Sequence, residues 1–221
     1  MKRIPALILA RLLALSLAAC GADTTPTAPD DPSADAPEEL TLDALRVEFA
    51  IGERDTDALM ALQKELPPLL IAKLADEGVT VKAVNITFGA SADATAQALQ
   101  NGSIDVAFLP SETALTCGVS ARLNAVENVS VPAEEYFSDI VFSETSGAAA
   151  DSPIYENAVV VSDGTPVALG AAFSRALVML CADADGNAVM RHYGCASYLI
   201  SGQPGALLEP LEVCLALASQ E

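Results

Sequence analysis

Five polar residues follow apolar segments of the sequence at points where a strand would give way to a helix. They are Arg54, Thr56, Ser91, Ser111 and Thr113. The first turn of a helix presents backbone N–H groups without partners in the helix, and these groups can hold an anion together with hydroxyl and guanidinium donors. The pattern therefore predicts a site for a small ligand. The alternative is that Ser91 and Ser111 are ordinary helix caps and Arg54 a solvated loop charge.

Four cysteines could carry a second kind of chemistry. They are Cys117, Cys181, Cys195 and Cys214, separated by 64, 14 and 19 residues. These intervals match no zinc motif, so structural thiols or disulfides are favoured over a metal site. Four cysteines allow three pairings, and the sequence does not choose among them.

Catalytic and metal-binding patterns are weak in this sequence. His192 is the only histidine, which excludes a metal cluster built on several histidines. No nucleophile-elbow motif accompanies it, so it is expected at the surface or at a helix end. Residues 183–186 resemble part of a calcium loop, but Cys181 and His192 occupy its ligand positions, and a turn between helices is favoured. We expect neither an enzyme nor a bound metal or cofactor.

An alternation of strands and helices would position these polar residues. Pro67 and Pro68 should break or kink the first helix, and Thr165 can cap a late helix that begins with Pro166. The order of elements predicts an α/β fold with a mainly parallel sheet flanked by helices. A ligand would then lie beyond the carboxyl ends of the strands. The predicted elements are strands at 45–51, 79–88 and 104–109 and helices at 59–74, 91–100 and from Pro110.

One segment of this alternation resembles a known protein family. Residues 98–110, ALQNGSIDVAFLP, and the elements before them look like the first lobe of type II periplasmic solute-binding proteins. They are most similar to the binding proteins of phosphate, phosphite and phosphonate importers, and the resemblance resumes at residues 136–147 and 157–191. It implies two α/β lobes that close on a small oxyanion and then dock on the permease of an ABC transporter.

The resemblance is incomplete in its second half. Family members carry a whole second lobe where this chain has only residues 148–156, so the second lobe is expected to be reduced or missing. The serine- and threonine-rich loop of that lobe has no full counterpart. In the first lobe, Ser91 and Ala92 replace an expected aromatic residue.

The N-terminus has the composition of an export signal. Lys2 and Arg3 precede a short apolar run that ends in Leu17-Ala18-Ala19-Cys20, and Arg11 interrupts a stretch that would need about 20 apolar residues to span a bilayer. The last four residues resemble the lipobox of bacterial lipoproteins, which implies cleavage before Cys20 and a diacylglyceryl group on it. The alternative is a plain secretory signal. We expect a protein anchored by lipid on the extracytoplasmic face of the cell membrane.

The charge of the chain excludes some partners. The formal net charge is −19, and because three basic and no acidic residues precede Cys20, the mature chain would carry −22. Such a surface repels nucleic acid and anionic headgroups, so membrane contact would come only through the lipid. The Debye length is about 8 Å at physiological salt, so local donors decide whether an oxyanion binds.

These observations predict a domain organisation and two functions. A signal peptide at 1–19 precedes the lipidated Cys20 and an acidic linker, 20–43. The first lobe and crossover occupy 44–147, the shortened second-lobe region 148–156, and a C-terminal strand and helices 157–221. The first functional hypothesis is the solute-binding component of an ABC importer. The second is a one-lobed lipoprotein that serves as an interaction or sensing module and binds no transported ligand.

Overall fold

The structure is a computed structural model that describes most of the chain after the N-terminal region. The described residues are 40–51, 55–117, 123–126, 130–132, 153–155, 157–200 and 209–218. The predicted signal peptide, Cys20, Arg54 and the predicted crossover strand at 136–147 lie outside them.

Strands and helices alternate through the first half of the described chain, as predicted. In order, the elements are β1 (Leu40–Leu42), β2 (Leu45–Ala50), α1 (Thr56–Asp76), β3 (Val79–Val81), β4 (Val84–Gly89), α2 (Ala92–Gln100), β5 (Val106–Pro110), α3 (Ser111–Thr116), β6 (Leu123–Val126), β7 (Ser130–Pro132), β8 (Pro153–Tyr155), β9 (Asn157–Val161), α4 (Val167–Ala182), α5 (Ala184–Met190), β10 (Tyr198–Ile200) and α6 (Glu209–Ala218). The predicted α/β class is confirmed.

A six-stranded sheet forms the centre of the fold, in the order β10-β6-β9-β5-β2-β4. Strand β2 lies between β4 and β5 and is parallel to both. Strand β9 is antiparallel to β5 and β6, and β10 is antiparallel to β6. Four of these six strands, β2, β4, β5 and β6, therefore run in one direction. Sequence reasoning predicted the parallel strands but not the antiparallel ones.

The hydrophobic core lies between the sheet and the helices α1, α4 and α5, which pack on one another. Alternation along β2 buries Leu45, Val47 and Phe49. The ring of Phe49 stacks on that of Phe108 in β5 with centroids 4.1 Å apart. From α1, a stripe of leucines with a spacing of four residues meets this core, and each buried leucine contributes on the order of 2 kcal/mol. The stripe is Leu62, Leu66, Leu70 and Leu74.

Helix α1 runs without interruption through Pro67 and Pro68, where a break or kink was predicted. The two missing N–H groups remove two helical hydrogen bonds. Buried leucines on both sides of the proline pair hold the helix on the sheet and offset that loss. A hydrogen bond also connects α1 to β4, since Gln63 Nε2 donates to the backbone oxygen of Ile86 at 3.0 Å.

The predicted strand at 79–88 is divided into β3 and β4. The division occurs because β3 pairs in parallel with β1 in a separate small sheet, while β4 pairs with β2. Between the two pairs, the Lys82 N–H donates to the Leu42 oxygen at 3.0 Å. Leu40 and Leu42 also pack against the core. Residues 40–42, which the sequence analysis assigned to the linker at 20–43, are therefore part of the described fold.

Thr165 is not the cap of α4, contrary to the prediction. The cap position is occupied by Pro166, which makes no side-chain hydrogen bond to the helix. The hydroxyl of Thr165 instead donates to the backbone oxygen of Asp105 at 3.4 Å. The Thr165 hydroxyl thus bonds to a distant part of the chain and makes no capping bond to α4.

Helices α4 and α5 meet at a sharp bend of 101° at Asp183. The predicted turn at 183–186 is thus the start of α5, and Gly186 lies against the end of α4. A Cβ atom on Gly186 would be 2.1 Å from the Leu180 oxygen, so only glycine fits this approach. Within the described ranges, no single helix is long and apolar enough to cross a membrane, and only this bent pair reaches the required length and hydropathy together.

Candidate functional site

Three parallel strands end side by side at one edge of the sheet, which we call the carboxyl edge. It comprises the ends of β2, β4 and β5, namely Ala50, Gly89 and Pro110, and the residues that open α1, α2 and α3. Ala50 is in register with Gly89, and Phe49 with Phe108. The edge is where the sequence predicted a ligand to lie. It receives the N-termini of the three helices, whose N–H groups favour negative charge.

The N-terminus of α1 already has negative charge next to it. Its cap is Asp55, whose Oδ1 accepts a hydrogen bond from the Asp57 N–H at 3.2 Å. The predicted site residue Thr56 is the first helical residue and is exposed. The two carboxylates of Asp55 and Asp57 compensate the positive end of α1, whereas α2 and α3 each have a single acidic residue in the first turn. Helix α1 is therefore the least suited of the three to an added anion.

Ser91 has the role that the alternative interpretation gave it. It is the cap of α2, and its Oγ accepts a hydrogen bond from the Ala94 N–H at 3.1 Å. The side chain is exposed and serves the helix. Any contact of Ser91 with a ligand would add to this capping bond.

Ser111 does not cap α3, although the alternative interpretation expected it to. The cap position is Pro110, and Ser111 is the first residue of the helix. Its side chain is 2% exposed, and its Oγ has no hydrogen-bond partner among the described residues. Burying a hydroxyl without a partner costs about 1–3 kcal/mol. Thr113, one half-turn later, is half-buried.

Thr95 was not predicted as a site residue. It is fully buried in the first half of α2, and its Oγ1 also has no partner among the described residues. The hydroxyl lies over the end of β4, because a Cβ on Gly89 would be 1.9 Å from Thr95 Oγ1 and 2.8 Å from Glu48 Oε1. Gly89 thus permits a close approach of a hydroxyl and a carboxylate. On the same strand as Gly89, Thr87 Oγ1 donates to Glu48 Oε2 at 3.0 Å.

Sequence reasoning missed Thr95 and Glu48 because neither follows a strand directly. Thr95 lies one turn into α2, and Glu48 lies inside β2 on the face opposite to Phe49. The signal that could have found Thr95 is a polar residue on the buried face of a helix. Of the predicted residues, the structure places Thr56, Ser91, Ser111 and Thr113 at the carboxyl edge, while Arg54 lies outside the described residues.

The opposite end of the parallel strands is closed by an ion pair. Arg46 Nη2 lies 2.6 Å from Asp105 Oδ1, and Arg46 Nε donates to Asp105 Oδ2 at 3.0 Å. This hydrogen bonding raises the pKa of the Arg46 guanidinium. The Asp105 backbone oxygen accepts from the Ser162 N–H at 2.9 Å. The Arg46 guanidinium therefore lies at the amino ends of the strands, and its positive charge is not available at the carboxyl edge.

In the part of the chain that the structure describes, no group of three or more His, Cys, Asp or Glu side chains is placed to hold a metal ion. His192 is exposed and follows the end of α5, and its backbone N–H donates to the Val189 oxygen at 3.1 Å. The arrangement at the carboxyl edge can bind a polar ligand. It contains hydroxyls, helix N-termini, the acidic residues of the three first turns and the carboxylate of Glu48, which lies beside Thr95.

The fold is similar to that of known structures. Two structures of XAC2383 from Xanthomonas citri, one bound to a chloride ion and one to ATP, each match 80% of this chain with a TM-score of 0.51. The identities are 10% and 9%, and the matches cover 99% and 98% of XAC2383. A binding protein component of an ABC phosphonate transporter from Pseudomonas aeruginosa has a TM-score of 0.49 at 10% identity, over 80% of this chain and 87% of that one. No protein-family model and no curated protein sequence matches the chain.

Proposed function

We propose that this chain is the lipid-anchored, extracytoplasmic solute-binding component of an ABC importer, and that its ligand is a small oxyanion of the phosphate or phosphonate kind. The observation that carries the proposal is a pair of buried hydroxyls at the carboxyl edge, on Thr95 and Ser111, that have no hydrogen-bond partner among the residues that the structure describes. Buried hydroxyls are normally hydrogen-bonded, so two such groups near helix N-termini favour a ligand that completes them. The structures of XAC2383 with similar fold hold anions, which supports testing anions first.

Glu48 would select among oxyanions at this position. Its carboxylate lies beside Thr95 and can accept a hydrogen bond from a ligand O–H group, whereas it repels an anion that has no proton. Phosphate and alkylphosphonates retain a proton on part of their population near neutral pH, and sulfate does not. The proposed site therefore favours phosphate and phosphonates over sulfate. No bond is made or broken in this role, which consists of capture and delivery.

The N-terminal sequence supplies the other half of the proposal. Cleavage before Cys20 and acylation of its thiol would leave two acyl chains, which suffice for stable anchoring where one is marginal. The acidic linker after Cys20 would let the folded part reach a permease in the same membrane. The partners in this proposal are a small ligand, an ABC permease and the membrane, the last through the lipid only.

A thermal-shift panel tests the binding role. We expect the soluble form that begins after Cys20 to be stabilised by phosphate, phosphite or an alkylphosphonate, and less by sulfate or amino acids. A ligand at 100 times its Kd adds about 2.7 kcal/mol of stability. For a chain of this length that is a rise in Tm of roughly 5–10 °C. An unchanged Tm with every compound would contradict the transport function.

Two substitutions test the residues that would meet the ligand. Ser111→Ala and Thr95→Val remove the buried hydroxyls with little change of volume, so we expect unfolding free energies that are unchanged or higher by about 1 kcal/mol. Each variant should lose at least tenfold in affinity for the ligand that shifts the parent protein, as measured by calorimetry. Ser91→Ala is the matched control, because it removes a capping bond and should lower stability by about 1 kcal/mol. Full affinity in both hydroxyl variants would place the ligand elsewhere.

A second function is favoured by one feature, the short connection between β7 and β8. These strands pair with each other, and only residues 133–152 lie between them. Two jaws are needed for a protein that closes around its ligand. A one-lobed lipoprotein that acts as an interaction or sensing module would need no second jaw. Small-angle scattering separates the two: a decrease in the radius of gyration with ligand supports a closing clamp, and an unchanged radius together with no thermal shift supports the module.

A further inference from the structure

Two of the four buried cysteines lie at either end of the α4–α5 bend. Cys181 is in the last turn of α4, and Cys195 follows the turn after α5. Both side chains are buried thiols, 6% and 2% exposed. The segment between them contains α5, which packs on α1 and α4, and both cysteines belong to the hydrophobic core.

The side chain of Asn187 holds the two ends of this segment together. Its Nδ2 donates to the backbone oxygen of Cys181 at 3.0 Å and to the backbone oxygen of Ala196 at 3.2 Å. One amide nitrogen thus binds the residue that carries the first thiol and the residue next to the second. Tyr198, which is buried, also donates from its hydroxyl to the Cys195 backbone oxygen at 3.4 Å.

The pKa shifts of the buried side chains also indicate that Cys181, Cys195 and Tyr198 lie close together. Burial, and secondarily the nearby Cys195 thiol, raise the pKa of the Cys181 thiol to about 12. Burial raises the pKa of Tyr198 well above its ordinary value, and Cys195 and Cys181 add to the rise. Interactions of this kind weaken with distance, so the three side chains belong to one buried cluster.

The other two cysteines belong to a different part of the fold. Cys117 ends α3, and Cys214 lies in α6, a helix that contacts α3. Both are buried. Of the three possible pairings, the one that joins Cys181 with Cys195 is therefore the one that joins cysteines of the same part of the fold.

We propose that Cys181 and Cys195 form a disulfide bond that closes the α4–α5 bend when the chain folds outside the cytoplasm. The inference relies on the export in the proposed function but not on any ligand. The oxidant is a second disulfide, such as that of a thiol–disulfide oxidoreductase or oxidised glutathione. One cysteine thiolate attacks it and releases one thiolate, and the other cysteine then attacks the mixed disulfide and releases the second. Two cysteine thiols are oxidised and lose two protons, and the two thiolates that leave the oxidant take up two protons, so one disulfide is reduced to two thiols.

The bond must form before this part of the chain is fully buried. A thiol with a pKa of about 12 is almost entirely protonated near neutral pH, and only the thiolate attacks a disulfide. In the folded, reduced protein Cys181 should react with a thiol reagent on the order of a thousandfold more slowly than an unperturbed cysteine. Oxidation therefore belongs to the folding reaction.

Peptide mapping after refolding tests the proposal. The soluble form that begins after Cys20, which retains the four other cysteines, is reduced in denaturant and refolded in a mixture of reduced and oxidised glutathione. It is then quenched with N-ethylmaleimide and digested with trypsin and a glutamate-specific protease. This digest places Cys117, Cys181, Cys195 and Cys214 on separate peptides, at 113–122, 176–191, 192–212 and 213–221, because Pro210 protects the bond after Glu209 from cleavage. We expect peptides 176–191 and 192–212 to be joined. A bond from either of them to one of the other two, or alkylation of all four cysteines, would overturn the proposal.

Thermal unfolding of the same sample gives a second measurement. A reductant should lower the Tm of the oxidised protein by roughly 6–12 °C, because a loop of about 15 residues is released in the unfolded chain. The double substitution Cys181→Ala and Cys195→Ala should abolish this difference, whereas Cys117→Ala should keep it. Refolding in glutathione needs neither a ligand nor export of the protein. These results therefore test the disulfide even if the proposed transport function is disproved. A Tm that does not respond to the reductant in oxidised parent protein would also count against the bond.

Discussion

Replacing Phe108 with alanine is expected to lower the free energy of unfolding by about 3–5 kcal/mol. Phe108 is 1% exposed in the middle of β5 and contacts aromatic rings from two strands and from the turn after α5. It stacks on Phe49 and meets Tyr193 and Tyr198 edge-on, with centroids 5.5 and 6.1 Å away. The alanine variant would lose the transfer free energy of the ring and leave a cavity that this rigid cluster cannot fill.

Urea denaturation of the two proteins measures this effect, with the slope of the transition as a check that both unfold in the same way. Phe88→Ala is the matched control, because Phe88 is only half-buried and its ring lies 6.2 Å from that of Phe49. We expect the control to lose less than half as much stability. A loss below about 1 kcal/mol for Phe108→Ala would mean that the ring cluster is not the centre of the core.

Gly186→Ala is expected to destabilise the protein by about 3 kcal/mol, at the upper end of what overpacking costs. The new methyl group would meet the backbone oxygen of Leu180 at 2.1 Å and its carbonyl carbon at 2.8 Å. A flexible side chain could move aside, but a helix carbonyl cannot without opening the α4–α5 bend. The segment from Cys181 to Cys195 would be displaced with it, so the variant should also form less of the proposed disulfide during refolding.

Gly164→Ala provides the control for this substitution. The nearest atom to a Cβ on Gly164 is the Ser162 hydroxyl at 3.9 Å, an ordinary contact distance. We expect its stability to stay within about 0.5 kcal/mol of the parent. If Gly186→Ala were equally neutral, the close approach of α5 to α4 would be wrong.

Local signals predicted the segment from α2 to α3 well. Asn101 and Gly102 end α2 as expected, and Gly102 has a positive φ of 73° that glycine accepts without strain. The Asn101 side chain accepts from the Ser103 N–H at 2.9 Å, so the turn is stabilised by its own residues. The apolar run that follows is buried as β5. All these features depend on residues within a few positions of one another.

The features that sequence reasoning missed depend on pairing between distant parts of the chain. The division of 79–88 into two strands follows from β1, and the antiparallel neighbour of β5, strand β9, comes from residues more than 40 positions later. Thr165 fits the pattern of a cap, but a backbone oxygen 60 residues earlier takes its hydrogen bond. The same holds for the candidate site, because nothing near Thr95 in the sequence shows that Gly89 and Glu48 lie against its hydroxyl.

The ion pair between Arg46 and Asp105 has a consequence for how this protein could change over evolutionary time. Asp105 joins the starts of β2 and β5 and, through its backbone oxygen, the turn after β9, so one residue fixes three segments at the end of the sheet opposite to the carboxyl edge. With that end fixed, residues at the carboxyl edge can be exchanged without loosening the sheet. Descendants of this chain could therefore change the chemistry of one edge through a few substitutions, while selection preserves the other.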